Sequence, residues 1–164
     1  MHKPGRGVDA AEVADLLRPL YPRLRRFAAV VGPVELDPDD LVQDAVVRFL
    51  ATGRWRSIDD VQAYLRRTIV NLAANERRRL GRQRSAVARE GPALSTTASY
   101  PSDLDDLEHI EPQSRALLFL VEVEGASVTE AAAAVGCSSV AARARLSRAR
   151  RRLRDAIESE ALDG

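Results

Sequence analysis

The sequence predicts an all-α protein made of two small helical domains joined by a flexible linker, and three features of the chain lead there. Aromatic residues are only 4% of the 164 residues, while Ala, Leu, Val and Arg dominate, a composition that favours helices over the mixture strands prefer. Helical periodicity comes with start signals, such as Asp37-Pro38 before one apolar run and Ser127-Val128-Thr129-Glu130 before another. Between the periodic halves, GRQRSAVAREGPALSTTASYPS mixes Ser, Thr, Gly and Pro without an apolar period, as linkers do. A chain of this length accommodates two minimal domains, each burying a modest fraction of its surface.

Taken in order, residues 1–8 read as a disordered tail and 9–80 as the first domain. Pro19 and Pro22 interrupt the stretch from Ala10 to Val31, which predicts two short helices or a kinked pair, ended by Gly32-Pro33. The next helix has Asp37 as N-cap, Pro38 at its first position, Asp39 and Asp40 favouring the dipole and Gly53 beyond its end. Asp59 or Asp60 caps a helix from about Val61 to Arg79, after the loop GRWRSIDD that holds the single Trp. Residues 81–102 are the linker and 103–160 the second domain. That domain is expected to contain a short helix around Leu104 to His109, a helix opened by Pro112 and closed by Gly125, and two closely spaced helices.

Composition also excludes function classes. One cysteine, Cys137, rules out a disulfide framework within the chain, and His2 with His109 makes no metal-ligand cluster. No metal and no cofactor are expected, and the reducing cytoplasm is the natural setting. No apolar run approaches the roughly 18–20 residues of a membrane span, and MHKPGRGVDA lacks a signal-peptide core; the expectation is a protein neither inserted in a membrane nor exported. Every basic residue except Lys3 is Arg. The net charge of +1 hides segregation: residues 1–80 carry 14 basic and 11 acidic groups, 81–137 carry 4 and 9, and 138–164 carry 7 and 4. Two basic segments around an acidic middle predict a nucleic-acid binder with two separate contacts.

The sharpest pattern lies near the C-terminus. Ser127 to Glu130 is a capping box, Gly136 stands where a C-cap belongs, and Ser138 or Ser139 caps a final helix to about Glu158: helix, tight turn, helix. On a helical wheel Ala142, Leu146, Ala149, Leu153 and Ile157 fall within roughly 80° and form the core-facing stripe. Opposite lie Val140, Arg143, Ala144, Ser147, Arg148 and Arg151, small residues between arginines and no acid. Such a face lets the backbone sit deep in a major groove while Arg reaches bases or phosphates. Arg145, Arg150, Arg152 and Arg154 flank it and suit the phosphate walls, while Cys137 in the turn reads as structural.

Two faces of the first domain carry further polar patterns. In the helix from Val61, the buried stripe is Val61, Leu65, Ile69 and Leu72, and an adjacent sector holds Tyr64, Arg67, Asn71, Asn75 and Arg78. Amides and an aromatic on one face suit unpaired bases, although an ordinary solvated face has the same periodicity. The helix from Pro38 turns Leu41, Val42, Ala45, Val46 and Phe49 inward and shows Asp40, Gln43, Asp44 and Val47 outward. An acidic patch with one apolar residue fits a basic protein partner, or solvated charge.

With these residues in view the chain resembles the extracytoplasmic-function sigma factors of bacterial RNA polymerase, a branch of the sigma-70 family. DLVQDAVVRFL resembles the family's clamp-binding helix, YLRRTIVNLAANERRR its minus-ten helix and GASVTEAAAAVGCSSVAARARLSRARRRLR its minus-thirty-five helix-turn-helix, in the expected order. The resemblance implies that 9–80 is a region 2 bundle and 103–160 a region 4 helix-turn-helix. It implies a non-enzymatic protein of the cytoplasm, associated with the nucleoid. Its partners would be core RNA polymerase, through the β′ clamp helices and the β flap, promoter DNA, and an anti-sigma protein of the kind the family commonly has. Asp40, Gln43, Asp44 and Val47 would face the clamp helices. Trp55, Arg56, Ser57, Tyr64, Arg67, Asn71, Asn75 and Arg78 would engage and open the minus-ten element, and the Val140 to Arg151 face would read minus-thirty-five. The chain departs from the family where Ala131 replaces a bulky apolar residue and Val140-Ala141 replace Gly-Thr at the start of the recognition helix.

Two other classes compete. A dimeric helix-turn-helix regulator would bind closed duplex unaided and leave the Asp40 to Val47 and Asn71 faces without a role. A nuclease would need paired carboxylates, a phosphate-cradling loop or a nucleophile with its base, and none stands out.

Overall fold

The structure, a computed structural model, describes residues 10–89 and 110–163. The expected tail, most of the linker and the short helix around Leu104 to His109 lie outside the described residues. Within them the chain is helical, without a strand.

Of the two expected alternatives the first is found: helices α1 (Ala10–Leu17) and α2 (Tyr21–Val31) are separate, with Pro22 in the first turn of α2. At the end of α2 the chain turns so tightly into α3 (Pro38–Ala51) that a Cβ on Gly32 would lie 2.5 Å from Leu41 Cδ1. The Asp37 side chain accepts a hydrogen bond from the Asp39 N–H at 2.8 Å and caps α3. A single 3-10 turn, Trp55–Ser57, leads to α4 (Val61–Arg89), where Asp60 Oδ1 accepts from the Ala63 N–H at 2.8 Å.

Helix α4 outruns its expected end by ten residues, so the stretch from Gly81 to Arg89 is helix and not linker. One Gly in a helix costs only about 1 kcal/mol against Ala, and the surrounding Arg, Gln and Ala are good helix formers. The Ser85 hydroxyl also donates back to the Gly81 carbonyl, and Arg84 pairs with Glu35 across to the loop before α3.

In the second half, α5 (Pro112–Leu118) opens at Pro112 and widens into a π-helical turn, Phe119–Val123, before Gly125. Helix α6 (Val128–Val135) and helix α7 (Ser139–Asp163) follow. Ala142, Leu146 and Ala149 are buried as expected, but Ile157 is 66% exposed because α7 continues past the edge of its domain.

The cores of the two halves are continuous. Phe27, Phe49, Leu65 and Ile69 fill the first, Leu117, Leu120, Ala131, Ala132 and Leu146 the second. Phe27 of α2 meets Phe119 of the π turn edge to face, ring centroids 5.9 Å apart.

Candidate protein and nucleic-acid interfaces

On α3, Asp40, Gln43, Asp44 and Val47 are all exposed, on one side of the helix at spacings of three and four residues. Their neighbour Asp39 is committed elsewhere. It accepts hydrogen bonds from the Tyr21 hydroxyl (2.7 Å) and Arg25 Nε (3.1 Å). These bonds, Tyr21's first, hold its carboxyl below the ordinary carboxylate range. Among the described residues no cation pairs with Asp40 or Asp44, so the patch keeps its negative charge, and Val47, 64% exposed, supplies an apolar point within it.

The sector on α4 divides. Arg67, Asn71, Asn75 and Arg78 are exposed, and Arg78 donates to the Asn75 amide oxygen. Tyr64 is half-buried with its ring 5.6 Å from that of Phe49. Trp55 departs from the expected surface group: it is 5% exposed and packs on Phe49, its ring centroid 6.2 Å away. The Arg56 guanidinium lies 4.2 Å over the Trp55 ring and pairs with Glu12 at 2.6 Å. The loop is therefore anchored by its aromatic residue, while Arg56 and Ser57 beside it are exposed.

The C-terminal unit has the local geometry its sequence spells out. Ser127 and Glu130 form the reciprocal capping box. The Ser127 hydroxyl, and after it the Ser127 N–H, hold the Glu130 carboxyl below its ordinary range. Gly136 ends α6 in the left-handed region at φ 81°, ψ 39°. Ser138 Oγ then accepts from the Ala141 N–H at 3.1 Å and starts α7. Val140, Arg143, Ala144, Ser147, Arg148 and Arg151 are all exposed, Val140 by 74%. Arg150, expected at a phosphate wall, is paired with Glu122 at 2.6 Å.

Sequence reasoning missed two arginines. Arg66 and Arg115 are buried, at 8% and 3% exposure, where the halves meet. Arg66 Nη2 donates to both carboxylate oxygens of Glu124 (2.6 and 2.7 Å), and Arg115 donates to the Val31 carbonyl at 2.7 Å. Arg66 stood in the sequence only as a cation among cations, and no local signal marked it for burial.

Among the described residues no His, Cys, Asp or Glu cluster could hold a metal, and no helix is long and apolar enough to cross a membrane. Fold and faces together define a class, a two-lobed helical DNA-binding protein ending in a helix-turn-helix. Known proteins agree. The sigma-70 region 2 model matches residues 16–83 and the sigma-70 region 4 model residues 107–153. The RNA polymerase sigma-E factor of Streptomyces coelicolor is 30% identical over 163 residues, covering 94% of this chain and 91% of that protein. Its counterpart from Streptomyces avermitilis is 32% identical over 164 residues, covering 94% and 90%. Among solved structures, the sigma factor RpoE in complex with the anti-sigma factor NepR, from Bartonella quintana, is similar in fold. Its TM-score is 0.66 at 24% identity, covering 91% of this chain and 98% of that one. CnrH in complex with the cytosolic domain of CnrY gives 0.60 at 26% identity, covering 93% and 91%. The chain belongs to the extracytoplasmic-function sigma factors of the sigma-70 family, proteins that direct promoter-specific transcription initiation by RNA polymerase.

Proposed function

We propose that the three faces divide the work of initiation as follows. Asp40, Gln43, Asp44 and Val47 dock on the β′ clamp helices of core polymerase. Arg56, Ser57, Tyr64, Arg67, Asn71, Asn75 and Arg78 engage the minus-ten element and hold its opened strand, with Trp55 supporting the loop from the core. Trapping an unstacked base costs a few kcal/mol, which contacts within the holoenzyme offset. Val140, Arg143, Ala144, Ser147, Arg148 and Arg151 read the minus-thirty-five element, Arg through guanine edges and Val140 through a thymine methyl.

The observation that carries this reading is the acid-free, exposed row on α7 directly after a capped helix and a left-handed glycine turn. The protein itself catalyses nothing in this scheme; it positions an enzyme. The division into domains falls between Arg89 and Ile110, somewhat later than composition alone places it. The β flap is the second polymerase contact. An anti-sigma protein is a regulatory partner, in keeping with the anti-sigma factor NepR bound to RpoE in a structure of similar fold. Such a protein acts in the cytoplasm, at the nucleoid.

Reconstitution tests the scheme. Purified chain added to bacterial core polymerase is expected to start transcription at defined genomic sites. Operator-like binding of free duplex with no effect on core would sink it.

A further inference from the structure

We propose that Glu12 of α1 is a positioning residue for minus-ten recognition: it holds the Arg56 guanidinium on the Trp55 ring and so presets the loop at residues 54–58 for the extruded base. This role rests on the sigma-factor reading above and deepens it by giving α1 a part in promoter recognition.

Glu12 and Arg56 stand 44 positions apart, and they meet side-on: Arg56 Nε donates to Glu12 Oε1 at 3.1 Å and Arg56 Nη2 to Oε2 at 2.6 Å. Paired hydrogen bonds between a guanidinium and a carboxylate fix direction as well as distance. The same guanidinium lies 4.2 Å from the centre of the Trp55 ring, a cation–π contact. It is thus held along one edge by α1 and on one face by the loop's own indole, two restraints that together select one orientation. Trp55 is buried against Phe49, whose ring lies 5.6 Å from that of Tyr64 at the start of α4. A continuous stack therefore runs from α1 through the loop to the proposed minus-ten helix: Glu12, Arg56, Trp55, Phe49, Tyr64.

Bonds within the loop shape its bend. Thr52 Oγ1 accepts from the Arg54 N–H at 3.2 Å, the Ser57 hydroxyl donates to the Arg54 carbonyl at 2.8 Å, and the Ile58 N–H donates to the Trp55 carbonyl at 3.4 Å. Each spans two or three residues. They set the turn's own curvature and leave its placement on the domain to Trp55 on the inner side and Glu12 on the outer.

Charge separates this role from a direct contact with DNA. A carboxylate near a phosphate backbone repels it, so on electrostatics alone loss of Glu12 strengthens binding to DNA of any sequence. A positioning role has a different sign for sequence choice. Without Glu12 the Arg56 side chain regains its rotamers, and ordering them again at the matched element lowers affinity there. Both side chains are exposed, Arg56 by 41% and Glu12 by 47%, and an exposed pair contributes little to folding. Its consequence is the direction of a DNA-facing side chain.

The test uses the whole chain assembled with bacterial core polymerase. Binding is compared on promoter DNA and on the same DNA with its minus-ten element scrambled, and 2-aminopurine placed in turn at each non-template position of that element reports base extrusion by its fluorescence. Glu12→Gln keeps the side chain's length but presents an amide N–H₂ group where Arg56 needs an acceptor. It is expected to lower the promoter-to-scrambled binding ratio about fivefold, equivalent to about 1 kcal/mol, the upper end for an exposed pair. The fluorescence gain at the extruded base should fall with it, while core binding stays intact. In an Arg56→Ala background Glu12→Gln is expected to change neither readout. An unchanged ratio in Glu12→Gln overturns the proposal, as does tighter binding to both DNAs at an unchanged ratio, which makes Glu12 a plain electrostatic shield. A loss that persists in the Arg56→Ala background does not pass through Arg56 and overturns it, and so does a ratio that falls only together with core binding. If the wild-type holoenzyme itself does not distinguish the two DNAs, the sigma-factor reading has failed and the proposal with it, a result seen before any variant is compared.

Discussion

Replacing Gly136 by Ala perturbs two things at once, and the structure separates them. The backbone there is left-handed, at φ 81° and ψ 39°, where a Cβ costs about 1–2 kcal/mol. Ala also restricts the unfolded chain, which returns about 0.4–1 kcal/mol. The net turn penalty is then about 0.5–1 kcal/mol. The second effect reaches the other domain, because the new Cβ would stand 2.8 Å from Arg67 Nε and 3.1 Å from Arg67 Cδ. Arg67 is exposed and moves aside, losing its hydrogen bond to the Ala133 carbonyl, worth about 0.5–1 kcal/mol at such a site. Gly136→Ala should therefore cost about 1–2 kcal/mol in the wild-type background and only the turn penalty in an Arg67→Ala background. In a chain of this size that corresponds to a fall in Tm of roughly 3–6 °C against roughly 1–3 °C. Thermal melts of the four proteins, followed by far-ultraviolet circular dichroism, make the double-mutant cycle. Equal losses in both backgrounds would refute the Arg67 contact, and no loss in either would refute the need for glycine in the turn.

Other substitutions probe the remaining surfaces. Asp44→Arg reverses the charge of the α3 patch and is expected to abolish co-purification with core polymerase while leaving the melting curve unchanged. Arg143→Ala removes one exposed side chain of the α7 row; promoter binding should fall by about 1–3 kcal/mol, roughly 5- to 150-fold, with core binding intact, as measured by electrophoretic shift of holoenzyme on promoter DNA. Because the Tyr21 hydroxyl and Arg25 lower the Asp39 pKa below its ordinary 3.8, the link between α2 and α3 contributes fully above that value and is lost as pH falls through the lowered one. An NMR titration should find the Asp39 carboxyl midpoint below 3.8, and Tyr21→Phe should move it upward.

The residues that mark the chain's family differ in how far the sequence alone exposes them. The α7 row was legible because helical periodicity and capping are local: Ser127, Gly136 and Ser138 act within three or four residues of themselves. The α3 patch was legible for the same reason, since Asp37 and Pro38 set where the helix starts and hence which side chains share its outer face. Trp55 was misplaced because an aromatic residue in a polar loop looks alike whether it waits for a base or packs on Phe49. Only the three-dimensional neighbour decides.

By itself, then, the sequence determined where the capped helices start and the polar rows of α3 and α7, all of which depend on spacing along one helix. Tertiary structure decided which polar faces stay wet. Arg66 and Arg67 are adjacent on α4, yet Arg66 is buried against Glu124, 58 positions along the chain, and Arg67 is left exposed. Helix α4 runs on past Gly81 beside Glu35, and α7 runs past its domain with Ile157 in solvent. Burial is a property of what arrives from elsewhere in the chain, and periodicity carries no record of it.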